Sequence, residues 1–359
     1  MSRGTIARIN SAAANHNLKV IQKKYPDAKI WAVVKANAYG HGAIKLTAKL
    51  THCDGFAVAT LDEALELRQA DIKKPILLLE GCLNVLQTKS ALDNGLTLTL
   101  HCIEQIEDLE KLAETEQYAL QTLWLKVDTG MHRLGLALND LKDSFERLAK
   151  IKWINNIGVM THFSSADELD NDFTQLQITR LKQYLPKNCS LISMANSAAI
   201  FNPVESTNDW VRPGIAMYGA SPFVGVTAKE LNLLPVMQLS APIIAIRDVE
   251  IGEGTGYGKI WTAKRKTKIA TVAIGYGDGY PRACKQGAPV FVNGKRVELI
   301  GRVSMDLITI DVSDVAVSLY DQVELWGNEI SVDEVASYCD SIGYELLTRV
   351  SARVMYQYD

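Results

Sequence analysis

Ile30-Trp31-Ala-Val-Val34-Lys35-Ala-Asn-Ala-Tyr39-Gly40-His41-Gly42 is a continuous apolar run that ends on a lysine and turns at once into glycines. A run of this kind reads as a short strand buried on both faces, the habit of a parallel sheet. Seven more runs repeat the pattern after Trp31 to Lys35: Gly55 to Ala59, Ile76 to Leu79, Leu96 to Leu100, Leu123 to Asp128, Ile157 to His162, Leu191 to Ala195 and Trp210 to Tyr218. Helical segments separate them, such as the one opened by Thr60-Leu-Asp-Glu63, a capping box. Eight strand and helix units in about 200 residues predict an α/β fold, an N-terminal (β/α)8 TIM-type barrel over residues 9–230. A doubly wound open sheet is the alternative, and periodicity alone separates the two poorly.

Beyond Asn232 the rhythm changes. Pro242 to Ile246 and Lys268 to Ile274 are apolar runs broken by glycine turns rather than helices, so residues 231–359 read as a C-terminal mostly-β domain. Asn293-Gly294, between Val290-Phe-Val and Lys-Arg-Val-Glu-Leu299, accepts the positive φ angles of a two-residue type I′ hairpin. Ser331 with Glu334 forms a second capping box, and Gly343 is the expected stop of that helix. At the other end, Thr5 to Ile9 alternates like a strand. Asn10 or Ser11 then caps a helix that Pro26 closes.

The formal charge is −3 over 359 residues, with both signs interspersed. That offers no basic face for nucleic acid and no polybasic membrane patch, which leaves a small-molecule substrate. The six cysteines (Cys53, Cys82, Cys102, Cys189, Cys284, Cys339) contain no CxxC pair. They suit reduced thiols in a cytoplasmic protein better than disulfides or a zinc site, and no metal is expected. The first ten residues lack the apolar core of a signal peptide, and no apolar run approaches the roughly 18 residues of a membrane span.

A barrel of this type carries its chemistry at the carboxyl ends of its strands and its phosphate site after the seventh and eighth. Those ends are Lys35, with Tyr39 beyond it; Lys126-Val-Asp-Thr-Gly-Met-His-Arg133; Thr161-His162; Asn196-Ser197; and Arg212-Pro-Gly214-Ile215. Singly, each has a plain explanation: a lysine reaching solvent, a core histidine, a salt-bridged arginine. Together, an amine able to form a Schiff base across the mouth from a hydroxyl, a glycine and backbone N–H groups points to pyridoxal 5'-phosphate. Gly252-Glu-Gly-Thr-Gly-Tyr257-Gly258-Lys259 is no nucleotide loop: it lacks the GxGxxG order, and Ile260 stands where a P-loop needs Ser or Thr.

The blocks AVVKANAYGHG, KVDTGMHRLG, THFSSAD, ANSAAI, VRPGIAMYG, GYGKIW, IGYGDGYPR and GRVSMD, in this order, resemble the alanine racemase family of fold-type III pyridoxal phosphate enzymes. The resemblance spans nearly the whole chain. It implies a barrel plus a C-terminal β domain that the N-terminal strand, residues 1–8, joins. It also implies a homodimer whose active site is shared between subunits. Lys35 would be the Schiff-base lysine and the acid/base on one substrate face, and Tyr257 of the other subunit the acid/base on the opposite face. His162 would hydrogen-bond Arg212, which faces the pyridine nitrogen. Tyr39, Ser197, Gly214 and Ile215 would hold the phosphate. Arg133 would serve the cofactor O3′ and the substrate carboxylate, with Met305 (through its N–H) and Tyr276 from the partner. Lys126 matches a position N-carboxylated in several members; a plain lysine in a salt bridge is the other reading. Ala352 stands where some members place a tyrosine at the mouth, so no role is carried over there, and Tyr344 nearby is not placed.

The chemistry is independent of the family. Racemisation removes the α proton from one face and returns one to the other, so two acid/base groups must flank a planar carbon. Arg212 cannot readily protonate a pyridine nitrogen as an Asp or Glu would, so the ring stays a weaker electron sink and transamination is suppressed. The function the resemblance implies is interconversion of L-alanine and D-alanine, supplying D-alanine for peptidoglycan or using it in catabolism. A broad-specificity or serine racemase is the nearest alternative. Arg212 argues against a fold-type III decarboxylase, and the C-terminal domain with Tyr257 against a non-catalytic pyridoxal phosphate carrier.

Overall fold

The computed structural model describes residues 3–202, 204 and 206–359; the first two residues of the expected N-terminal strand lie outside them. In chain order the strands are β1 (Ile6–Ile9), β2 (Lys29–Val33), β3 (Gly55–Val58), β4 (Ile76–Leu78), β5 (Thr97–Leu100), β6 (Leu123–Lys126), β7 (Ile157–Met160), β8 (Leu191–Ser193) and β9 (Trp210–Val211). They continue with β10 (Met237–Val249), β11 (Gly254–Thr255), β12 (Trp261–Thr262), β13 (Thr267–Val272), β14 (Pro289–Val292), β15 (Lys295–Ile300), β16 (Ile308–Asp311), β17 (Gln322–Trp326) and β18 (Met355–Tyr358).

Strands β2 to β9 form one eight-stranded parallel sheet, and it closes. β9 pairs with β2, Lys29 opposite Trp210. On its other side the Asp209 N–H donates to Ile192 O at 2.8 Å and the Arg212 N–H to Ala195 O at 2.9 Å. Helices cover the outside, and β3, β4, β6 and β7 are buried at every residue. Two tryptophans set local packing through cross-strand glycines. Trp31 lies opposite Gly55 and Trp124 opposite Gly158. A Cβ on either glycine would fall within 2.6 Å of the indole, so no other residue fits there.

Three local expectations change. β2 stops at Val33, short of Lys35. The eighth strand ends at Val211, because Pro213 has no N–H for a ladder; Ile215–Tyr218 is a 3-10 turn. Gly343 does not stop the helix opened by Ser331. That helix is Val332–Ser337, and Gly343 begins the next, Gly343–Thr348. The Thr60–Glu63 capping box is complete, and Asn293 (φ +46°) and Gly294 (φ +82°) take the expected hairpin angles.

In the C-terminal domain β10 pairs along one half with β17 and along the other with β13, closing β10, β13, β16, β15, β14 and β17 into a second barrel. β1 lies between β10 and β18 and ties the amino terminus to this domain. One apolar core runs through both halves. The helix Gly343–Thr348 lies against the segment after Lys35: a Cβ on Gly40 would fall 2.1 Å from Leu347 O. No helix among the described residues is long and apolar enough to cross a membrane.

Candidate active site

Lys35 is half-buried and opens an unusual turn. Ala36, Asn37, Ala38 and Tyr39 all have φ between +51° and +54°. Four non-glycine residues in a row are thus left-handed, a conformation that costs roughly 1–2 kcal/mol per residue. It persists only where the surroundings enforce it. The Lys35 amine has no hydrogen-bond or ion-pair partner among the described residues.

The turn delivers Tyr39 to the loop after β9. Tyr39 is 7 % exposed, and burial pushes its phenol up to about 12, so it is a hydrogen-bond donor at any ordinary pH. A Cβ on Gly214 would lie 2.5 Å from Tyr39 Oη; only glycine leaves that corner open. Ser197 Oγ accepts from the N–H groups of Gly214 at 2.8 Å and Ala216 at 3.3 Å, which leaves its own proton to donate. The buried Ile215 N–H has no acceptor among the described residues. A phenol, a hydroxyl and an N–H therefore converge without an acceptor, the chemistry of an anion cradle.

Arg212 is 5 % exposed and has no carboxylate partner among the described residues. Its Nη1 donates to Ser193 O at 2.9 Å and Ser193 Oγ at 2.6 Å, and its Nη2 to Thr161 O at 2.5 Å and Met194 O at 3.3 Å. Burial lowers its pKa to about 10, so it is still a cation and can only donate. Only its Nε–H lacks an acceptor among the described residues. The expected bond from His162 to Arg212 is not formed, because main-chain carbonyls and Ser193 take the Nη groups. His162 is nonetheless neutral: burial, then the charges of Arg212, Lys126, Arg133 and Lys35, hold it well below the usual histidine range.

Lys126 ends β6 at 9 % exposure with no ion pair among the described residues, so the salt-bridge reading has no partner. Burial first, and then the charges of Arg212 and Arg133, lower its pKa to about 8. Arg133 is exposed, with no side-chain hydrogen bond among the described residues.

Tyr257, Tyr276 and Met305 are not joined to this cluster by any hydrogen bond or ion pair among the described residues. They sit on the C-terminal domain at 72 %, 39 % and 53 % exposure. They share one surface. The Tyr276 N–H donates to Ser304 O at 3.0 Å and the Gly277 N–H to Met305 O at 2.8 Å, while Gly301 lies against Thr255. The Met305 N–H has no acceptor among the described residues.

Sequence reasoning left Tyr344 unplaced and passed over Tyr218. Tyr344 lies 6.0 Å from the Tyr39 ring, and Tyr218 stacks on Tyr39 at 4.8 Å, its hydroxyl donating to Val33 O at 2.9 Å. Tyr218 stood inside a stretch read as strand, which hid it; no signal in the sequence ties Tyr344 to the first strand.

The family model for the alanine racemase N-terminal domain matches residues 9–222, and that for the C-terminal domain matches residues 236–358. The chain is 44% identical over 358 residues to the alanine racemase of Aeromonas hydrophila, covering 99% of each. It is equally identical to that of Vibrio cholerae, covering 99% of this chain and 98% of the other. Among solved structures it is similar to the biosynthetic alanine racemase of Pseudomonas aeruginosa, with TM-score 0.95, 42% identity and 100% of both chains covered. The alanine racemase of Acinetobacter baumannii superposes with TM-score 0.92 at 38% identity, with 99% of each chain covered.

Proposed function

The chain belongs to the alanine racemase family of isomerases, and on that premise we propose that it interconverts L-alanine and D-alanine with pyridoxal phosphate in a site completed by a second copy of the chain. The observation that carries the cofactor reading is Arg212, a buried cation whose Nε–H alone of its donors lacks an acceptor among the described residues. A donor-only partner of this kind fits an unprotonated pyridine nitrogen. Tyr39, Ser197 and Ile215 fit its phosphate, with Gly214 leaving the room, and Lys35 supplies the amine. When bound, the cofactor supplies an electron-withdrawing ring that makes the substrate α proton removable.

The protein's residues do the rest. Lys35 Nζ moves a proton on one face, and Tyr257 Oη from the second copy moves one on the other. Each positioned proton-transfer group contributes roughly 10²- to 10⁴-fold. Cationic Arg212 can donate a hydrogen bond but does not readily give up its proton, so a pyridine nitrogen held against it would stay unprotonated. Arg133, with Met305 N–H and Tyr276 of the second copy, binds the substrate carboxylate side. Lys126, an amine of low pKa, is suited to N-carboxylation, which would turn it into an anionic support for Arg133. The product serves peptidoglycan or D-alanine enters catabolism.

Chiral analysis of L-alanine incubated with the protein and pyridoxal phosphate tests the proposal. D-alanine forms with the parent. Lys35→Ala abolishes it, and Tyr257→Phe lowers it by roughly 10²- to 10⁴-fold. No D-alanine from the parent, or full activity from Lys35→Ala, contradicts it.

A further inference from the structure

The left-handed turn from Ala36 to Tyr39 is gripped at both ends by side chains that the racemisation does not use. At its start, Glu63 Oε1 accepts from the Ala36 N–H at 2.7 Å, while Oε2 accepts from Ala59 at 2.8 Å and Thr60 at 3.2 Å. One carboxylate thus caps the helix Leu61–Gln69 and pins the residue after Lys35. At its end, His41 is fully buried, with Nδ1 2.9 Å from Tyr39 O and 3.0 Å from Ala38 O. Carbonyl oxygens only accept, so Nδ1 carries the proton and Nε2 is left a bare acceptor, with no partner among the described residues. Burial lowers the His41 pKa to about 4, so it stays neutral. Its ring lies 4.5 Å from that of Tyr218, which stacks on Tyr39 at 4.8 Å.

Leaving one nitrogen of a buried histidine unpaired carries a desolvation cost, which the bond made by the other nitrogen has to offset. Here that bond draws together the carbonyls of two successive left-handed residues. We propose that His41 and Glu63 are positioning residues that hold the Ala36–Tyr39 turn left-handed, fixing the Lys35 amine and the Tyr39 phenol at the separation the cofactor requires. This rests on the reading of Lys35 and Tyr39 as cofactor-binding residues. Neither clamp residue meets substrate; they act through the backbone, and without them the four residues relax out of the disfavoured region and Tyr39 swings off Gly214.

Three variants separate this role from packing. His41→Asn keeps a donor near the place of Nδ1, His41→Leu removes it, and Glu63→Ala releases the opposite end. Pyridoxal phosphate affinity, followed by cofactor absorbance, and amide exchange of residues 36–42 in the cofactor-free protein are measured for each. His41→Leu and Glu63→Ala weaken cofactor binding by about tenfold or more, as expected for a lost buried hydrogen bond, and speed exchange at Ala38 and Gly40. His41→Asn restores most of both. Parent-like affinity and exchange in His41→Leu overturn the proposal, as does Asn proving no better than Leu. Should His41→Leu fail to fold, unchanged exchange at Ala36 to Ala38 in Glu63→Ala overturns it instead. A parent that binds no pyridoxal phosphate refutes the cofactor reading, while the exchange arm still judges the clamp.

Discussion

Lys126 shows how a single side chain takes its chemistry from where a strand ends. Its folded pKa of about 8 lies below the ordinary lysine value of 10.5, so the folded chain binds fewer protons than the unfolded one. Burying it therefore destabilises the fold increasingly as pH falls from 10.5 to about 8, and by a constant amount below that. Lys126→Met is accordingly more stable than the parent at pH 7, by up to about 3 kcal/mol. The gap closes as pH rises from 8 toward 10.5, as denaturant melts in bicarbonate-free buffer will record. Reactive residues such as Lys35, Lys126 and Arg212 were legible because polar side chains interrupt apolar runs at strand ends. His41 and Glu63 were not: one sits between two glycines and reads as loop, and the other reads as a cap and nothing more.

At the scale of elements, short apolar runs marked all eight barrel strands, most plainly β3, β4, β6 and β7, where a strand buried at every residue has little polar alternation to blur it. The turn after β2 was illegible for the opposite reason. Alanines favour a right-handed helix, and their left-handed state here comes from Glu63 and His41, neither of them inside the turn. The loop after β9 was read as strand because Ile215 to Tyr218 is apolar, and Pro213 decided otherwise. That loop offers a direct test. In Gly214→Ala the added Cβ meets the Tyr39 hydroxyl. The variant binds pyridoxal phosphate at least about tenfold more weakly, the loss of one buried donor; equal affinity would sink the phosphate cradle.

On the scale of the whole molecule, the change from helix-separated to glycine-separated runs revealed two architectures, whereas barrel closure needed the pairing of β9 with β2, which no local pattern encodes. The same limit applies to Tyr257. Its exposure and its distance in sequence from Lys35 make sense if a second copy covers the barrel mouth, with Tyr276 and Met305 on the same surface. Mixing two inactive variants, Lys35→Ala and Tyr257→Phe, after dissociation and reassembly tests this most directly. If the site is shared, half of the dimers are mixed and each has one intact site, so racemisation returns to about a quarter of the parent's rate. If Lys35 and Tyr257 act within one chain, the mixture stays as inactive as its components.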